Sequence, residues 1–195
     1  MNPVWLQLGL ISVLIAINAL FAGAELALIT LNRPQLERMR RAGGRAAIAA
    51  RLAEDPTRFL ATIQVGITFA GFLASAVAAV SLVKPLIPTF EELLGEAAAE
   101  PVAVFLVTLA LAFATLVLGE LAPKRIAMQR AEGWASFSSR PLWLLSQAGR
   151  PVVWLLSFAT NLVVRLGGVD PSAGREPMSA DEIRDVISST AALGA

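Results

Sequence analysis

Residues 101–125 read PVAVFLVTLALAFATLVLGELAPKR, an apolar run that ends on a glycine, a carboxylate, a proline and two cations. No charged side chain falls between Pro101 and Leu118. A helix of about 20 such residues crosses the hydrocarbon core of a bilayer, so the run predicts a membrane span over residues 101–118. Two earlier stretches have the same character, at about 4–31 and 59–83. Composition agrees with them. The chain is 56% hydrophobic and only 16% charged, where a soluble domain carries about a quarter charged residues. One core cannot cover that much apolar surface, and the excess must face lipid. The expected fold is an all-α membrane protein with three transmembrane helices.

The charges are sorted rather than mixed. From Arg33 to Arg58, Arg33, Arg38, Arg40, Arg41, Arg45, Arg51 and Arg58 stand against Glu37, Glu54 and Asp55. Between the second and third spans the balance reverses, with Glu91, Glu92, Glu96 and Glu100 against Lys84. Basic loops stay on the cytoplasmic side. The arginine-rich loop and Lys124-Arg125 are therefore expected inside, the acidic loop outside, with the N-terminus outside and the C-terminus cytoplasmic. Ala22-Gly23-Ala24 mimics a signal-peptidase site, but no basic segment precedes it and the apolar run is too long. It reads as a retained span.

The remaining segments predict shorter helices. Asn32-Arg33-Pro34 suits a helix stop and restart, and Gly43-Gly44 breaks the stretch again. Amphipathic helices are expected at the cytoplasmic membrane surface over about 34–57. Residues 141–166 are apolar but cut by Arg150-Pro151. A charge at a bilayer centre costs about 2.5–3.5 kcal/mol, and proline breaks the helix there. Two half-length interfacial helices within about 134–166, anchored by Trp134, Trp143 and Trp154, fit better than a fourth span. A linker, Asp170 to Gly174, then leads to a helix start with Ser179 as N-cap and Glu182 in the capping-box position. The expected division is a membrane domain over 1–168 and the beginning of a cytosolic helix over 169–195.

There is no cysteine and no histidine. Any bound metal must be held by oxygen, which favours hard cations. No nucleophile–base pairing or nucleotide motif is visible, so an enzyme is not expected. The bilayer is the expected partner, not nucleic acid.

Polar residues inside spans are functional candidates, and three groups qualify. Asn18 and Glu25 lie seven residues apart on one face of the first span, with Ala22, Gly23 and Ala24 between them. Glu25 suits either a site or a structural bond near the helix end. Gln64, Thr68, Gly71 and Ser75 form one stripe on the second span. They suit either a cavity lining or polar glue between helices, with Gly66 and Gly71 as packing notches. In Gly119-Glu120-Leu121-Ala122-Pro123-Lys124, Pro123 cannot donate to the carbonyl of Gly119. A free carbonyl beside a carboxylate is what a hard cation needs in place of water. The bland alternative is an interfacial helix stop with Lys124 and Arg125 reaching for water.

Asn18-Ala19-Leu20-Phe21-Ala22-Gly23-Ala24-Glu25, Gln64-Val65-Gly66-Ile67-Thr68 and the Gly119–Lys124 motif, in that order, resemble the transmembrane domain of the CorC/CNNM family. The likeness is nearest to its bacterial, hemolysin-related branch. It implies a homodimer in the bacterial inner membrane, each subunit with three spans and a belt of juxtamembrane helices. It implies that a cytosolic acidic helix and CBS modules follow the membrane domain, the latter lying outside this chain. The implied activity is Mg²⁺ transport, as efflux, with Na⁺ as a coupling ion in some members. The implied ligand set centres on Glu120, with Gly119, Thr68, Ser75 and Glu25. Asn18, Gln64, Gly66 and Gly71 line or brace the path, and Lys124 pairs with a carboxylate while the site is empty.

Ala22, Ala24 and Ile67 depart from the family pattern, which has serines and an asparagine there. Fewer side-chain oxygens leave two rivals in play. One is export of a polyamine or other organic cation, and the other is a membrane scaffold that transports nothing. Gly66, Ala70 and Ala74 are candidates for the contact between subunits.

Overall fold

The computed structural model describes residues 3–168, and these are almost entirely helical. In chain order the helices are α1 (Pro3–Thr30), α2 (Arg33–Ala42), α3 (Gly44–Ala53), α4 (Pro56–Ser81), α5 (Ile87–Leu94) and α6 (Glu96–Leu116). A π-helical turn (Val117–Leu121) joins α6 to α7 (Ala122–Gln129), followed by α8 (Ala131–Ala148) and α9 (Arg150–Leu166). Three stretches are long and apolar enough to cross a membrane: Val4–Thr30, Phe59–Ser81 and Glu96–Gln129. The three-span, all-helical architecture expected from hydropathy is therefore present. The third helix differs from expectation at one end. It does not stop at Gly119 but runs on through the π turn to Gln129, because the turn absorbs Pro123 without breaking the helix.

Local signals explain the boundaries. Asn32 caps α2, its side chain accepting from the Gln35 N–H while the Gln35 side chain accepts from the Asn32 N–H. That reciprocal pair satisfies two donors that a helix start leaves open. Gly43 and Gly44 separate α2 from α3 at φ of +73° and +55°, a region that glycine enters freely. The apolar stretch after Pro141 is divided at Gly149, directly before Arg150-Pro151. α9 belongs to a second compact unit beginning at Pro151, and within it Trp154 stacks on Phe158.

In the first unit α1 is the central element, packed against α4, α7, α8 and the π turn. Its buried row, Ile11, Leu14, Asn18, Phe21, Ala22 and Leu28, follows helical spacing. One apolar cluster joins Ile11 to Ala78, Val83, Ala103 and Val107. A second, towards the other end of α1, gathers Phe21, Ala24, Ala27, Met39, Phe59, Ile63 and Leu142. Small residues let the helices approach. Gly66 of α4 lies against the Phe21 ring and Leu145, and Ala70 and Ala74 are buried. These three residues are thus spent on packing within the chain, which leaves them unavailable for the contact between subunits expected of them. Arg38–Glu132 ties α2 to α8, and Arg40–Glu54 ties α2 to the end of α3.

The closest approach is at Gly23. A Cβ there would collide with the Trp134 indole, and the indole N–H donates to the Leu20 carbonyl at 3.3 Å. Trp134, expected at the interface from its type, is packed against α1 through its indole. Overpacking a tight contact costs about 1–3 kcal/mol. Gly23→Ala is expected to melt at a clearly lower temperature than wild type in detergent. Gly9→Ala, whose Cβ would meet nothing within 4 Å, should melt as wild type. Equal melting of the two variants would dismiss the steric account.

Candidate cation site

The site grows out of the π turn. In it the Ala122 N–H reaches back five residues to the Val117 carbonyl, and Pro123 has no N–H to offer. The Gly119 carbonyl turns instead towards α1, where it accepts from Asn18 Nδ2 at 3.4 Å. This bond is long for an amide donor. Asn18 is buried, 3% exposed, and its other amide atom, Oδ1, has no hydrogen-bond partner. An orphaned buried acceptor costs about 1–3 kcal/mol, so it is a feature that asks for a donor or a cation.

One residue along, Glu120 accepts from Lys124 Nζ at 2.8 Å. The same ammonium lies 3.4 Å from Glu25 Oε2 on α1. The three side chains are 24–36% exposed, so their attraction is screened less than that of a surface pair. A lysine thus bridges two carboxylates from two helices. Five of the residues singled out from sequence, Asn18, Glu25, Gly119, Glu120 and Lys124, meet at this junction of α1, the π turn and α7.

The second span behaves differently. Gln64, Thr68 and Ser75 are exposed on α4, and a Cβ on Gly71 would meet nothing within 4 Å. Gln64, Gly71 and Ser75 each follow a buried residue, Ile63, Ala70 and Ala74, which turns them about 100° away from the packed row. Gly66 belongs to that row. The polar stripe is real, but within one protomer it does not face the Glu25–Lys124–Glu120 cluster. Among the described residues α4 buries the polar Thr62, 3% exposed, and Ser81 at its end, and no motif in the sequence marks them.

Among the described residues no group of three or more acidic side chains could hold a metal ion. What the junction offers is two carboxylates, a backbone carbonyl and a free amide oxygen. That all-oxygen set suits a hard cation that keeps part of its water shell.

The match to known proteins follows this geometry. The model of the CNNM family, described as the cyclin M transmembrane N-terminal domain, fits residues 9–195. The chain belongs to the CNNM family. Among this CNNM chain's relatives, the UPF0053 protein sll0260 of Synechocystis is 34% identical over 99% of the chain and 43% of its own length. The UPF0053 protein YhdT of Bacillus subtilis is 31% identical over 93% of the chain and 40% of its own length. The UPF0053 inner membrane protein YfjD of Escherichia coli is 31% identical over 88% of the chain and 37% of its own length. The CNNM chain spans about two fifths of the length of these relatives.

Proposed function

We propose that this CNNM chain is the membrane part of a divalent-cation transporter whose substrate is Mg²⁺. The observation that carries the reading is the orphaned Oδ1 of the buried Asn18, whose amide meets the Gly119 carbonyl, in a π turn whose Glu120 shares Lys124 with Glu25. Mg²⁺ dehydrates reluctantly and is bound through one or two carboxylates with water retained. Glu120 and Glu25 supply the charge, and Asn18 Oδ1 and the Gly119 carbonyl replace water. Lys124 is the counterion of the empty site and gives way when the ion arrives. The Glu120–Lys124 segment is then the part of the third span that must move.

The rest of the reading extends family membership. The chain works as a homodimer in the bacterial inner membrane, with the N-terminus outside and CBS modules of the full-length protein in the cytosol. Transport is efflux, coupled to Na⁺. Gln64, Thr68 and Ser75 support the dimer, because polar side chains are costly against lipid and a second copy covers them. On the partnered face they line the path between subunits. α2, α3 and α8 form a belt at the cytoplasmic surface.

A second reading has its own observation. The two carboxylates already hold a primary ammonium, that of Lys124, so an organic ammonium ion such as a linear diamine could take its place. Isothermal titration of the purified chain with Mg²⁺ and, separately, with a linear diamine decides between them. Saturable heat with Mg²⁺ alone supports the first reading, and heat with the diamine alone supports the second. Silence from both would overturn each of them and leave a scaffold.

A further inference from the structure

The cytoplasm-facing belt encloses a cavity that no part of the transport reading uses. It measures about 200 Å³ and lies where α3, the start of α4 and α8 converge, lined by Arg51, Leu52, Asp55, Phe59, Trp143 and Gln147 among others. Phe59 opens the second membrane-spanning stretch, so the cavity sits at the level where a span leaves hydrocarbon. Its walls change character across that boundary. Phe59 is buried, Trp143 is 46% exposed, and Arg51 and Asp55 are exposed.

Two features identify what fits there. Arg38, Arg40 and Arg41 of the basic stretch are neutralised by Glu132, Glu54 and Glu37, whereas Arg51 has no ion-pair partner among the described residues. A guanidinium with unused donors is a fork for a phosphate. Asp55 lines the same cavity and has an interaction of its own. A carboxylate can accept from several donors, so it can receive an ammonium beside the phosphate. A positive and a negative group lining one cavity with two aromatic side chains match a zwitterionic headgroup with its glycerol end against apolar walls.

We infer that this cavity is a binding site for an aminophospholipid of the phosphatidylethanolamine type. Arg51 holds the phosphate, Asp55 the amine, and Phe59 and Trp143 the start of the acyl region. The site stands apart from the cation cluster and does not depend on which ion is transported.

The test is native mass spectrometry of the purified chain in detergent, titrated with phosphatidylethanolamine or phosphatidylglycerol. Soluble glycerophosphoethanolamine and inorganic phosphate run as controls. One retained phosphatidylethanolamine is expected, at several-fold lower lipid concentration than for phosphatidylglycerol. Arg51→Gln should lower the retention of both lipids, by about fivefold or more. Asp55→Asn, which keeps the shape and an acceptor, should erase the preference between them. Both residues are exposed, so the variants should fold, and unchanged melting checks that they do. Retention indifferent to Arg51, a wild-type preference for phosphatidylglycerol, or soluble headgroup and phosphate bound as well as the whole lipid would each overturn the assignment.

Discussion

Glu120→Gln is expected to weaken Mg²⁺ binding by about 100-fold or more while leaving the melting temperature near that of wild type. The substitution keeps the volume and an oxygen that can accept from Lys124 at the 2.8 Å contact, and it removes only the charge. A hard cation that must lose part of its hydration needs that charge, since without it a single carboxylate, Glu25, is left to offset a double positive charge. The pairing of an unchanged melt with a lost titration separates a ligand from a structural residue. Equal Mg²⁺ affinity in the two proteins would place the ion elsewhere.

Lys124→Met should act in the opposite direction. The ammonium is a tethered competitor that lies 2.8 Å from Glu120 and 3.4 Å from Glu25. With it gone, an incoming cation no longer has to displace it. The groups are partly exposed, so the gain is modest, about 5- to 30-fold in Mg²⁺ affinity. The empty variant should also melt lower, because two carboxylates then face each other without a counterion, and saturating Mg²⁺ should restore the melt by mass action. A titration by calorimetry and a melt with and without Mg²⁺ check both halves. Weaker Mg²⁺ binding in the variant would mean that Lys124 organises the site rather than guards it.

The contrast between these two neighbours shows how far the sequence could be read. Hydropathy located the three spans because lipid imposes a length and a composition on any helix that crosses it. The chemistry of Gly119–Lys124 was legible because proline has no N–H and must leave an acceptor uncovered. That the uncovered Gly119 carbonyl would be met by Asn18, 101 residues away, was not legible, since spacing along one helix says nothing about which neighbour faces it. For the same reason Gln64, Thr68 and Ser75 could be placed on one stripe but not against a partner. The continuation of the third helix was missed because glycine and proline read as a stop, and only an extra residue in the turn allows the helix to pass. Trp134 read as an interfacial anchor because its type favours headgroups. Its real surroundings depend on the missing side chain of Gly23, a distant residue.

The lysine bridge also fixes how the membrane voltage acts on the proposed transporter. Glu25, Glu120 and a protonated Lys124 together leave the empty junction with one net negative charge. A divalent ion added to the same three groups makes it positive by one. An electric field therefore pushes the empty and the loaded junction in opposite directions, each by about 2.3 kcal/mol per 100 mV for a charge crossing the whole field. Without the lysine, the loaded junction would be neutral and voltage would act on the empty leg alone. Because Lys124 is tethered to the chain, giving way to the ion does not remove its charge from the moving segment, and both legs of a transport cycle are electrical.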